Sequence, residues 1–90
     1  MKVSKKEYIR DKAVIKAFGK RLRLFRKKAG LSMEDLAHQS DMDYSQIGRI
    51  ERGKINTSLS VASALAIALN IPMKELCDIP LPKKKKKSVK

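Results

Sequence analysis

From Asp11 to Ala29 the apolar residues Ile15, Phe18, Leu22 and Phe25 recur at intervals of three and four. That is the period of a helix burying one face, and Lys16, Lys20, Arg23, Lys27 and Lys28 fall on its other sides. Gly30 supplies a stop of the usual C-terminal kind. "SKKE" at Ser4 to Glu7 has capping-box form, so the first helix starts either near Lys5 or near Lys12. A second helix opens at Ser32, with Asp35 in its first turn, and runs through Leu36 and Ala37 to about Gln39. "SDMD" breaks that pattern. Asp43 is placed to cap a third helix that turns Ile47 and Ile50 inward and ends at Gly53. Ser58 heads an alanine-rich fourth helix whose Leu59, Ala62, Leu65, Ala66 and Leu69 form an apolar stripe ending at Asn70. "IPMKELCDI" reads as a short fifth helix with Pro72 at its first position, closed by Pro80 and Pro82. No alternation of the β kind interrupts the series, and the expectation is an all-α domain of five helices.

The third helix raises a question, because Gly48 stands in its interior, where glycine costs roughly 1 kcal/mol relative to alanine. Rotating 100° per residue from Ile47 keeps Ile50 and Glu51 on the inward side. Ser45, Gly48, Arg49 and Arg52 gather on the opposite one. Such a face is small at one end and carries guanidinium groups at the other, so the backbone could approach a partner closely while the arginines meet guanine edges or phosphates. The alternative is an indifferent surface glycine among ordinary solvated charges. The second helix changes that balance: two short helices joined by a tight turn bury their apolar sides only by crossing, with small Ala37 packed toward Ile47. That is helix-turn-helix geometry.

The stretch "LSMEDLAHQSDMDYSQIGRIERGK" resembles the helix-turn-helix of the phage-repressor and Cro superfamily, the xenobiotic-response-element type of bacterial regulator. The likeness extends from about Phe18 to Leu76, through "GKRLRLFRKKAGLS" and "TSLSVASALAIALNIPMKEL". It implies a five-helix, lambda-repressor-like DNA-binding domain with the helix-turn-helix at helices two and three. Base reading would fall to Tyr44, Ser45 and Arg49, with Gln46 and Gly48 beside them. Phosphate contacts would come from Ser32 and Met33, from Arg52, Lys54 and Asn56, and from the amides at Ser58, helix N-termini being suited to anions. The resemblance further implies a structural ion pair of Arg26 with Glu51. The chain departs from the family pattern at Met33, where glutamine is common and methionine cannot donate, at Asp41 in a turn usually given to glycine, and at Asp43, whose carboxylate repels phosphate.

Composition adds a direction to the field. The formal charge is +13, but residues 1–28 hold 12 Lys/Arg against Glu7 and Asp11. Residues 83–90 hold six lysines, whereas residues 29–82 hold four cations against seven acids. Two basic ends favour a polyanion, with the basic first helix and tail adding salt-sensitive affinity; the tail could equally serve only solubility. The expected organisation is a basic arm or helix extension over 1–11, the DNA-binding domain over 12–79, and a Pro/Lys-rich tail over 80–90. A charged start without an apolar stretch and the lack of any run long enough to span a bilayer favour the cytoplasm and exclude a membrane partner. His38 has no companion at ligand spacing, so neither a metal nor a cofactor is expected, and no catalytic constellation points to an enzyme. Cys77 reads as a small apolar contact. Tyr8 and Ile9 either dock on the fold or lie in a loose arm. Ile71, Met73, Leu76, Ile79 and Leu81 either fold back on helix one or form a subunit contact. The functional expectation is a sequence-specific transcriptional regulator, by preference a repressor, acting as a homodimer on double-stranded DNA. An antitoxin that also engages a toxin, and a protein-bridging coactivator, are the alternatives.

Overall fold

The computed structural model describes residues 9–81. Five helices follow one another: α1 (Lys12–Lys28), α2 (Met33–Ser40), α3 (Tyr44–Glu51), α4 (Leu59–Leu69) and α5 (Met73–Leu76). The described residues contain no strand. Asp11 fixes the start of α1, because its carboxylate accepts the amides of Ala13 and Val14 at 3.0 and 3.2 Å; the rival start at Ser4 to Glu7 lies outside the described residues. At α2 the reciprocal cap forms in full, with Ser32 Oγ accepting from the Asp35 amide and the Asp35 carboxylate accepting from the Ser32 amide, both at 3.0 Å. Asp41 (φ 58°) and Asn70 (φ 56°) end α2 and α4 in the left-handed region, where short polar side chains are the best substitutes for glycine.

Leu22, Leu36, Ile47, Ile50, Leu65 and Leu76 are fully buried, one or more from every helix, with Phe18, Ala37, Ala62, Ala66 and Leu69 around them. This one cluster holds α2 against α3 and α4, and α1 against α3 and α5. Phe25 is half-buried at its edge. Leu59 leaves the stripe expected of α4: it is 77% exposed, because it shares the angular register but sits on the first helical residue, beyond the edge of the core. Pro72 is the N-cap of α5 rather than its first residue, since its ψ of 145° is extended, and only Met73–Leu76 are helical. Most of the C-terminal apolar residues turn back on their own chain. Leu76 is in the core, and Ile71, Met73 and Ile79 pack on it, whereas Leu81 is exposed. Arg21 fastens this end to α1 by donating Nε and Nη2 to the Glu75 carbonyl at 3.1 and 2.5 Å, while its guanidinium lies 5.1 Å from the Phe25 ring centre. Cys77 is exposed rather than enclosed by apolar neighbours.

α1 crosses the end of α3 at Gly19, which is buried. A Cβ there would lie on the backbone carbonyls of Ile50 and Glu51, 2.7 Å from the latter oxygen. Gly19→Ala is therefore expected to lose about 1–3 kcal/mol through overpacking against backbone that cannot step aside. Gly30 offers a contrast, since its φ of +74° strains any side chain but nothing lies within 4 Å, and Gly30→Ala should cost about 1 kcal/mol. Urea denaturation of the two variants measures both; a Gly19→Ala protein as stable as the parent would contradict the crossing.

Candidate nucleic-acid interface

The ends of α3 are built differently. Its C-terminal end is clamped: Arg26 Nε donates to Glu51 Oε2 at 2.6 Å, Nη2 to Glu51 Oε1 at 2.9 Å, and Nη1 to the Leu31 carbonyl at 2.9 Å. The Arg26 and Glu51 side chains retain 10% and 6% of their exposure, so the fork-to-fork pair is largely withdrawn from water. The hydrogen bonds to Glu51 raise the Arg26 pKa above its ordinary value, with burial opposing them in part. One guanidinium thus joins α1, the α1–α2 turn and the last residue of α3.

The N-terminal end of α3 is open. Asp43 occupies the cap position, but its side chain makes no cap hydrogen bond, so the cap expected of it is positional only. Its carbonyl accepts the amides of Gln46 and Ile47, which leaves those of Tyr44 and Ser45 with no acceptor among the described residues. Tyr44 is half exposed, Ser45 and Arg49 are exposed, and Gln46 is half-buried. Ser45 and Arg49, four residues apart, stand one turn above the other on the outward side.

Gly48 is not part of an open, flat face. It is buried, and an added Cβ would lie 2.9 Å from Arg52 Nη1 and 3.9 Å from the Met33 sulfur. The missing side chain makes room for the Arg52 guanidinium to fold back over the helix. Met33, Gly48 and Arg52 share a groove of about 240 Å³ with Arg23, Arg26 and Glu51. Met33 also packs against the core.

The remaining candidates frame α3. Ser32 heads α2 on one side, its hydroxyl and amide both engaged with Asp35. Hydrogen bonding to the carboxylate, from the Ser32 amide first and the Ser32 hydroxyl second, holds the Asp35 carboxyl below its usual 3.8. On the other side Lys54, Asn56 and Ser58 are exposed along the α3–α4 loop, and Ser58 Oγ accepts the Val61 amide at 3.1 Å. The end of the N-terminal arm runs beside this loop. Arg10 Nη2 donates to the Lys54 carbonyl at 3.2 Å and Asn56 Nδ2 to the Ile9 carbonyl at 3.4 Å, although the Ile9 side chain is 84% exposed. Tyr8 lies outside the described residues. His38 is exposed, and no group of three or more His, Cys, Asp or Glu side chains that could hold a metal occurs among the described residues.

The helix-turn-helix family matches residues 22–76. Control protein C.MunI of a Mycoplasma species is 40% identical over 60 residues, 66% of this chain and 81% of that protein. Control protein C.BamHI of Bacillus amyloliquefaciens is 37% identical over 62 residues, 68% of this chain and 76% of that one. Among solved structures, the restriction-modification controller protein C.AhdI from Aeromonas hydrophila superposes with a TM-score of 0.68 at 47% identity, covering 69% of this chain and 94% of its own.

Two measurements probe this site without DNA. Removing one member of the clamp, by Arg26→Ala or Glu51→Ala, should cost about 3–5 kcal/mol because the other charge is stranded. Arg26→Met with Glu51→Leu should recover most of that loss in urea denaturation. At α2, a carboxyl whose folded pKa is depressed stabilises the fold above its unfolded pKa, and the contribution disappears as pH falls through the folded value. Part of the acid-induced fall in melting temperature below about pH 4 should thus be missing in Asp35→Asn. Identical slopes in the two proteins would show that the cap carries no proton linkage.

Proposed function

This chain belongs to the helix-turn-helix family of the phage-repressor and Cro type, a DNA-binding transcriptional regulator by that membership, and we propose that it is a controller protein of a restriction-modification system. The family consists of DNA-binding regulators rather than enzymes. The observation that carries the reading is the asymmetry of α3, clamped at Glu51 and open from Tyr44 to Arg49, beside a likeness to C.AhdI that spans nearly all of that protein.

In this reading the N-terminal half of α3 enters the major groove. Ser45 and Tyr44 meet base edges near the helix start, and Arg49 presents its two-pronged donor to a guanine one turn later. Gln46, half-buried, supports them from the side. The Ser32 hydroxyl at the head of α2 turns its proton to a phosphate, and the backbone amide of Met33 takes the place of a side-chain donor there. Arg52, Lys54, Asn56 and the first amides of α4 at Ser58 hold the neighbouring strand. Gly48 contributes indirectly, by leaving the space Arg52 occupies. The protein works as a homodimer in the cytoplasm, its two reading helices about 34 Å apart on a two-fold operator. The lysine-rich ends add sequence-blind affinity that salt removes. No described helix is long and apolar enough to cross a membrane.

Selecting bound sites from random duplexes at two salt concentrations tests the proposal. The expected product is a motif of two inverted half-sites about one helical turn apart, with tighter binding but the same motif at low salt. Recovery of no motif would overturn it. On the selected duplex, Arg49→Ala should lose about 1–3 kcal/mol at a single base pair and tolerate any base there. Equal weakening on all sequences would instead make Arg49 a phosphate contact.

A further inference from the structure

The groove between α1 and α3 holds more positive charge than the fold uses. Three arginines line it, Arg23, Arg26 and Arg52, against a single acidic residue, Glu51. Both Glu51 oxygens accept from Arg26, and the third Arg26 donor goes to the Leu31 carbonyl. Each Arg26 guanidinium nitrogen is thus engaged within the protein, and both oxygens of the carboxylate are taken. Arg23 and Arg52 are exposed and have no carboxylate within ion-pair distance among the described residues. Arg23 stands three residues before Arg26 and four after Gly19, on the side of α1 turned toward the end of α3. Arg52 reaches the same groove from the C-cap of α3, its guanidinium lying over the bare backbone of Gly48 with the Met33 sulfur beyond.

Two like charges facing one groove repel each other unless an anion comes between them. The walls otherwise offer a thioether and a glycine, neither of which competes for a guanidinium. Guanidinium forks match the tetrahedral oxygens of a phosphate. We propose that this groove seats one backbone phosphate of the bound DNA between Arg23 and Arg52, making Arg23 a DNA contact contributed by α1. The inference rests on the reading of α3 as the DNA-entering helix, because it places the phosphate on the strand that borders the same major groove. It also gives Gly48 a purpose that the helical projection does not suggest: a Cβ there would lie 2.9 Å from Arg52 Nη1, so the guanidinium would have to shift from its present place.

The test replaces single phosphates of the selected duplex by uncharged methylphosphonates, one position at a time, and measures affinity by fluorescence anisotropy. For the parent protein one position in each half-site should cost about tenfold, the size of one charge-assisted hydrogen bond. Against Arg23→Ala that same substitution should cost less than about threefold while the other positions keep their effects, a coupling that general loss of charge cannot produce. Gly48→Ala should blunt the same position, and circular dichroism confirms that both variants are folded. If every methylphosphonate weakens Arg23→Ala as much as the parent, the seat does not exist, whatever α3 does. If the parent prefers no duplex, the DNA reading and this inference fall together.

Discussion

Each of the three guanidinium nitrogens of Arg26 donates a hydrogen bond inside the molecule, two of them to Glu51 and one to the Leu31 carbonyl. A helix of eight residues such as α3 has little stability of its own, so its direction is set by what holds its ends. Here the hold is applied at the C-terminal end, where Glu51 meets Arg26 and where Gly19 lets α1 descend onto the Ile50 and Glu51 carbonyls. Ile47 and Ile50 anchor the inward side. The other end projects without a side-chain cap. An ion pair taken out of water is a poor source of stability compared with apolar side chains of the same volume. Its value is geometric: a bidentate pair admits one orientation of α3, whereas a greasy contact admits several.

Clamping one end determines what the other can do. With the Asp43 side chain uncommitted, the amides at the start of α3 face outward beside Ser45 and Tyr44, and Arg49 follows one turn on. The charges on α1 are divided by direction in the same way. Its apolar residues enter the core, Arg21 reaches over Phe25 to fasten α5, Arg26 fixes α3, and Arg23 turns toward the groove beside Arg52. The basic helix is therefore a structural strut along one side and an exposed cationic surface along another, which a net charge of +13 does not convey.

Much of this is legible in the order of the residues, because it depends on period and on local caps. Spacings of three and four place Ile15, Phe18 and Leu22 inside, and Ser32, Asp35 and Ser58 form their caps within three residues of chain. Asp41 and Asn70 take the left-handed turns that short polar residues can tolerate. What escapes is whatever depends on a side chain reaching across space. A helical projection sets Gly48 among the outward residues and cannot show that Arg52 folds back over it. Periodicity assigns Leu59 to the stripe of α4 without knowing where the core stops, and Cys77 to an apolar contact without knowing how α5 ends. Gly19 does carry a signal, a glycine inside a helix and four residues from Ile15 on the buried side, but its partner is the end of α3, far along the chain.

The most direct measurement is a crystal structure of the protein bound to its selected duplex. The account predicts that α3 lies in the major groove with Ser45 and Arg49 at hydrogen-bond distance from base edges, and with the bond between Arg26 and Glu51 intact. A complex in which the Tyr44–Arg49 side of α3 stands away from the DNA, or is covered by protein, would contradict it.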